Sequence, residues 1–168
     1  MIKFTGFQNS AVSLDNRERV DKKWQMTIKD DKIILWDYDY QGEKKVWNIP
    51  VNNVMEFVER KDNSGSVYYQ IEIIGEWVRW YNNGRDDSQF ISVHIQTWNW
   101  KEFFIWARWP HKEYQYRGAE EEFTCVTPIV TFDEKSQKLF KEIWEEGTKD
   151  KVKNRWGLYY SYTGELNG

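Results

Sequence analysis

The sequence predicts a mainly β protein of the α+β class: an antiparallel, partly open barrel or strongly bent sheet, capped by one C-terminal amphipathic helix. Three observations carry this. Apolar residues between 24 and 96 recur with period two, in short runs broken by turn signals. An apolar stripe at helical spacing follows between residues 131 and 147. Aromatic residues make up 18% of the chain, including 11 Trp, so rings dominate the area available for burial.

The elements follow in chain order. Residues 1–21 are weakly patterned and read as an N-terminal arm, with one short strand at 2–7. In the first clear strand, Trp24, Met26 and Ile28 alternate with Gln25, Thr27 and Lys29. Asp30-Asp31 marks a turn. Residues 33–40 follow, with Trp36, Tyr38 and Tyr40 on one face and Asp37 and Asp39 on the other. Gln41-Gly42-Glu43 closes a second hairpin. A third strand over 45–49 ends at Pro50, which lacks a ladder donor, and a fourth covers 54–60. Residues 61–65 form a loop. Residues 67–74 form a strand with Tyr69, Ile71 and Ile73 on one face, and Gly75 marks a bend or bulge. Strands over 76–81 and 90–96 flank the Asn-Gly signal at Asn83-Gly84, in a loop running through Ser88.

Residues 97–109 carry two competing patterns. Trp98 and Trp100 alternate as in a strand, yet Asn99 and Glu102 stand at capping-box spacing and Trp100, Phe103, Phe104 and Ala107 at helical spacing. The helical reading is preferred, ended by Pro110. Residues 114–116 and 122–126 read as short strands. Thr131 and Glu134 then fit a capping box, with Asp133 adding first-turn charge. Leu139, Phe140, Ile143 and Trp144 form the stripe, and Gly147 fits a C′ stop. Residues 148–168 begin basic and turn aromatic, as a last strand or a docking arm.

The stretch WQMTIKDDKIILWDYD, the segment VWNIPVNNVMEFVER and the capped helix together resemble bacterial pleckstrin-homology-like and GRAM-like domains over roughly 22–147. That resemblance implies a seven-stranded, partly open barrel plugged by the helix, acting as a binding module. The Trp-rich segment and the long tail have no counterpart in it.

Composition narrows the function. A formal charge of −3 and a pI near 5.5 supply no global basic field, which makes nucleic acid an unlikely partner. A single cysteine, Cys125, forms no intramolecular disulfide and points to a cytoplasmic setting. No signal-peptide pattern and no membrane-length apolar run is present.

His94, His111 and Cys125 are too few for a His/Cys zinc site, so no metal or cofactor is expected. Asp37 and Asp39 are the best carboxylate pair, yet acids beside turns are ordinarily just solvated; Asp86-Asp87 and residues 120–122 read the same way. Cys125 sits in an apolar strand pattern, as an inert buried thiol does. A Cys125–His94 pair has no support beyond its residue types. The basic run Lys149, Lys151, Lys153, Arg155, with Trp156, reads as a solvated tail. The pairs Lys22-Lys23, Lys44-Lys45 and Arg60-Lys61 flank turns, where they could gather at one rim around an anion.

The Trp cluster remains. Trp77 and Trp80 fall on opposite strand faces. Trp98, Trp100, Trp106 and Trp109 crowd one segment that cannot bury all four rings against one surface. The leading expectation is an intracellular, non-enzymatic interaction module that uses these six residues against a protein partner or a second copy of itself. An inhibitor or adaptor carried by a mobile element would fit such a chain. The alternatives are a barrel holding a small apolar or sugar ligand, and a carboxylate-dependent hydrolase centred on Asp37 and Asp39.

Overall fold

The computed structural model describes residues 1–12, 19–29, 31–38, 44–82, 85–110, 123–126, 129–155 and 157–163. It is 64% strand, with a closed eight-stranded antiparallel barrel and one C-terminal helix. The strands are β1 (Ile2–Val12), β2 (Arg19–Lys29), β3 (Lys32–Tyr38), β4 (Lys44–Lys61), β5 (Val67–Asn82), β6 (Arg85–Thr97), β7 (Glu102–Pro110), β8 (Phe123–Val126) and β9 (Ile129–Phe132); α1 (Glu134–Thr148) and β10 (Leu158–Thr163) complete the chain. Successive strands β1 to β7 pair in sequence order, and β9 bridges β7 back to β1. Gly6↔Phe132, Phe7↔Thr131 and Gln8↔Val130 form the closing seam. β8 and β10 lie outside the ring, on β7 and β4.

The period-two pattern does what it implies. Trp24, Met26 and Ile28 on β2 and Ile71 and Ile73 on β5 are buried as expected. On β3 the buried face is instead Ile33 and Leu35; Trp36 and Tyr38, read as that strand's aromatic face, are half-buried on the opposite side. Phe4, Ile49, Phe57, Ile95, Phe103, Ile105 and Phe132 join the buried set, so side chains fill the described interior. Charged residues such as Lys3, Arg60 and Glu102 stand on the outside. Among the described residues, no helix is long and apolar enough to cross a membrane.

Several expectations need correction. Residues 1–21, read as an arm, supply β1 and the start of β2. The third and fourth strands are one continuous β4 through Pro50. The proline is tolerated because the strand changes neighbours there: pairing with β3 ends at Pro50 and pairing with β5 begins at Val51. The strands either side of Gly75 are likewise one β5, with a register shift between Ile74 and Trp77. Pairing between β5 and β6 continues to Asn82↔Arg85, further than the expected loop through Ser88 allowed, and Asn83 and Gly84 themselves lie outside the described residues. Residues 97–109 are a turn and a strand, not a helix. The capping signal is real: Asn99 Oδ1 accepts from the backbone N–H groups of Lys101 (3.0 Å) and Glu102 (2.9 Å). Alternation of Phe103, Ile105 and Ala107 into the core then makes the chain continue as β7.

The helix is present, but its caps differ. Thr131 belongs to β9, and Asp133 is the N-cap, its Oδ1 accepting from Ser136 N at 2.8 Å. Gly147 lies inside the last turn, one residue before the helix ends at Thr148. A Cβ there would stand 2.1 Å from the Phe57 ring, so glycine is required by close packing and not by the stop. The buried face is Ser136, Phe140, Trp144 and Gly147, with Leu139 and Ile143 half-buried at its flank. Phe140 meets Phe103 at 4.8 Å and Trp144 meets Tyr69 at 5.5 Å, so α1 plugs the barrel end beside the 98–101 turn.

The turn residues 41–43, the short strand expected at 114–116, and Asp30, His111, residues 120–122 and Trp156 lie outside the described residues.

Candidate functional site

Three antiparallel strands set out the most distinctive outer surface. In register, Glu72 on β5 lies beside His94 on β6, which lies beside Trp106 on β7. One step along, Gln70, Gln96 and Phe104 form a second row. These positions alternate with Ile71, Ile95 and Ile105, which point inward, so barrel packing turns the polar and aromatic set outward. Trp106 is 39% exposed, high for so large a ring.

The β4–β5 and β6–β7 turns hold the aromatic end of this face. Asp62 Oδ1 accepts from Ser64 N (2.9 Å), Ser64 Oγ (2.6 Å) and Ser66 N (3.0 Å), which orders the first turn. Its Oδ2 accepts from Trp98 Nε1 at 2.9 Å, tying the second turn to the first. The Ser64 hydroxyl, with the backbone N–H groups and Trp98, holds the Asp62 carboxyl below its ordinary range. Trp98 then sits between Tyr68 (5.4 Å) and Phe104 (5.2 Å, edge-on).

Trp100 goes the other way. Its backbone is left-handed at φ 64°, and Thr97 Oγ1 accepts its N–H at 2.8 Å. This aims the indole into the core, 4.6 Å from Tyr69 and 6.0 Å from Trp144. Of the six Trp expected to form a contact surface, Trp98 and Trp106 are therefore on the outer face, and Trp100 packs against the core. Trp77 and Trp80 on β5 and Trp109 on β7 pair in register, but their side chains lie outside the described residues.

The polar row can be tested for chemistry. Ser92 Oγ lies 3.0 Å and Glu72 Oε1 3.2 Å from the same atom, His94 Nε2. A nucleophile–base–acid relay needs hydroxyl and carboxylate on opposite ring nitrogens. Here they converge on one, which makes an anchoring network. Burial pushes the Glu72 carboxyl upward, but His94, Ser92 and Arg60 outweigh it and keep the group below its ordinary range. Cys125 lies on β8 opposite Arg108, with β7 between its strand and His94's, and its side chain is outside the described residues. Asp37 pairs with Lys45 in the backbone register, but its side chain and all of Asp39 are likewise outside. Among the described residues, no three His, Cys, Asp or Glu side chains gather as a metal site.

Beside the polar row runs a cleft of about 510 Å³, lined by Glu56, Val58, Arg60, Tyr68, Gln70, Glu72, His94 and Asn154. A second cleft of about 410 Å³ adjoins it, sharing Arg60 and Asn154 and reaching Lys61, Lys153 and Arg155. Sequence reasoning missed this arrangement because it joins two distant stretches: the Arg60-Lys61 turn pair and the basic run before β10.

No family model, no curated protein and no solved structure matches the chain.

Proposed function

We propose that the chain is a non-enzymatic binding module whose contact face is the outer surface of β5, β6 and β7, directed at a protein partner or a second copy of itself. The observation that carries this reading is the exposed Trp106 ring beside the ordered Tyr68–Trp98–Phe104 array. A large aromatic ring on a rigid strand, rimmed by Gln, Glu and His, has the make-up of an interface anchor. The convergence of Ser92 and Glu72 on one His94 nitrogen favours binding over catalysis. The filled interior among the described residues favours an outside surface over a ligand held within. In this reading the protein works inside the cell, a placement that rests on its single cysteine.

The test compares wild type with Trp106→Ala. Sedimentation across a concentration series reads self-association, and affinity capture from the native host reads partner retention. A hot-spot Trp costs about 2 kcal/mol or more on truncation, so association should weaken about thirtyfold. Unchanged self-association together with an unchanged set of captured partners would overturn the reading.

A further inference from the structure

The two adjoining clefts differ in charge. The smaller is lined by Arg60, Lys61, Lys153 and Arg155 against one carboxylate, Glu59. The chain after α1 is fastened over it: Glu59 N donates to Gly157 O at 2.8 Å, and Lys153 Nζ meets Glu59 Oε2 at 2.7 Å. Gly157, at φ 84°, makes this approach possible, because a Cβ would stand 2.4 Å from Glu59 O. The basic run is thus folded back onto the Arg60-Lys61 pair and is not a loose tail. The larger cleft lies on the other side of the shared Arg60 and differs in character. It offers the Tyr68 ring, the Gln70 amide, the Glu72 carboxylate and His94, groups suited to hydroxyls and ring nitrogens.

We propose that these two adjoining clefts together bind a phosphomonoester, with the phosphoryl group among Arg60, Lys61, Lys153 and Arg155 and a hydroxylated body, a sugar or nucleoside, beyond the shared Arg60 against Tyr68, Gln70, Glu72 and His94. Clustered cations supply the charge-assisted hydrogen bonds that a dianionic phosphate takes, and arginine presents them in pairs. The carboxylate end repels a second phosphate and accepts from hydroxyls, which selects a ligand with one anionic end. This site shares Tyr68, Gln70, Glu72 and His94 with the proposed contact face, but it stands on the charge and shape of the two clefts and needs neither Trp106 nor a macromolecular partner.

Calorimetric titration of the full chain with AMP, glucose 6-phosphate, inorganic phosphate, adenosine and glucose tests it, alongside co-sedimentation with vesicles of anionic phospholipid. At least one of the two esters should bind with a Kd of about 1 mM or below, and inorganic phosphate about tenfold more weakly. Adenosine and glucose should show no saturation. The double change Lys61→Glu and Arg155→Glu removes charge-assisted bonds and should weaken the ester about tenfold or more. His94→Ala should bring the ester down toward the affinity of inorganic phosphate. These positions face solvent wholly or in part, so thermal melts should show the variants folded; Lys141→Glu, on the exposed side of α1, is the control for net charge. The proposal is overturned by no saturable ester binding below about 10 mM. It is equally overturned by ester binding that ignores the double charge reversal, by equal affinity for ester and inorganic phosphate, or by vesicle binding without ester binding.

Discussion

Gly6 faces Trp24 across one ladder and Phe132 across the next. Having no side chain, it lets those two rings stack over it at 5.8 Å. A Cβ at Gly6 would lie 2.2 Å from the Thr131 carbonyl oxygen, which is backbone and cannot swing aside. Gly6→Ala is therefore expected to cost about 2 kcal/mol or more, read as a lower midpoint in chemical denaturation. Next along, Gln8 is 3% exposed and its Oε1 has no hydrogen-bond partner among the described residues. Replacing it with an apolar side chain of similar length removes an unsatisfied acceptor, so Gln8→Met should stabilise by about 1 kcal/mol. The same two residues explain why β1 was hard to read from sequence. Its inward positions run Ile2, Phe4, Gly6, Gln8, and the apolar alternation stops halfway although the strand does not. Trp100 hid its role for a related reason: left-handed backbone at a tryptophan leaves no periodic mark.

At the scale of the element, α1 was legible because its stripe answers to a real surface. Its ends were not, because each is set by a partner distant in sequence. The Asp133 carboxyl caps the helix and also accepts from Thr5 Oγ1 on β1. Burial pushes its pKa upward, but the hydrogen bonds from Thr5 and Ser136 prevail and hold it below the ordinary range. A carboxyl depressed in the fold adds stability above its unfolded value and loses it as pH falls through the folded one. Asp133→Ala should thus cost about 1 kcal/mol at neutral pH, with the gap to wild type narrowing in melts below about pH 4. Phe140 is fully buried against Phe4, Phe103 and Trp100. Phe140→Ala should cost about 3–5 kcal/mol and detach the plug, measured by faster amide exchange throughout α1.

For the whole molecule, the sequence pattern revealed alternation within each strand but not which strands would meet. The eight-membered ring exceeds the seven strands that the pleckstrin-homology resemblance implied. Its eighth stave is β9, only four residues long, too short for periodicity to announce. The candidate surface was half legible for the same reason. Trp98 and Trp106 were visible as an excess of large rings, whereas the basic groove exists only once β10 has docked on β4. The seam between β1 and β9 has a further consequence during synthesis. The first strand leaves the ribosome roughly 120 residues ahead of its closing partner. Throughout that interval the nascent sheet carries an unpaired flank along Gly6 to Gln8, open to neighbouring chains on the same polysome. Premature termination anywhere before Ile129 should accordingly yield aggregates and not a smaller soluble protein, as pelleting of stalled or truncated translation products would reveal.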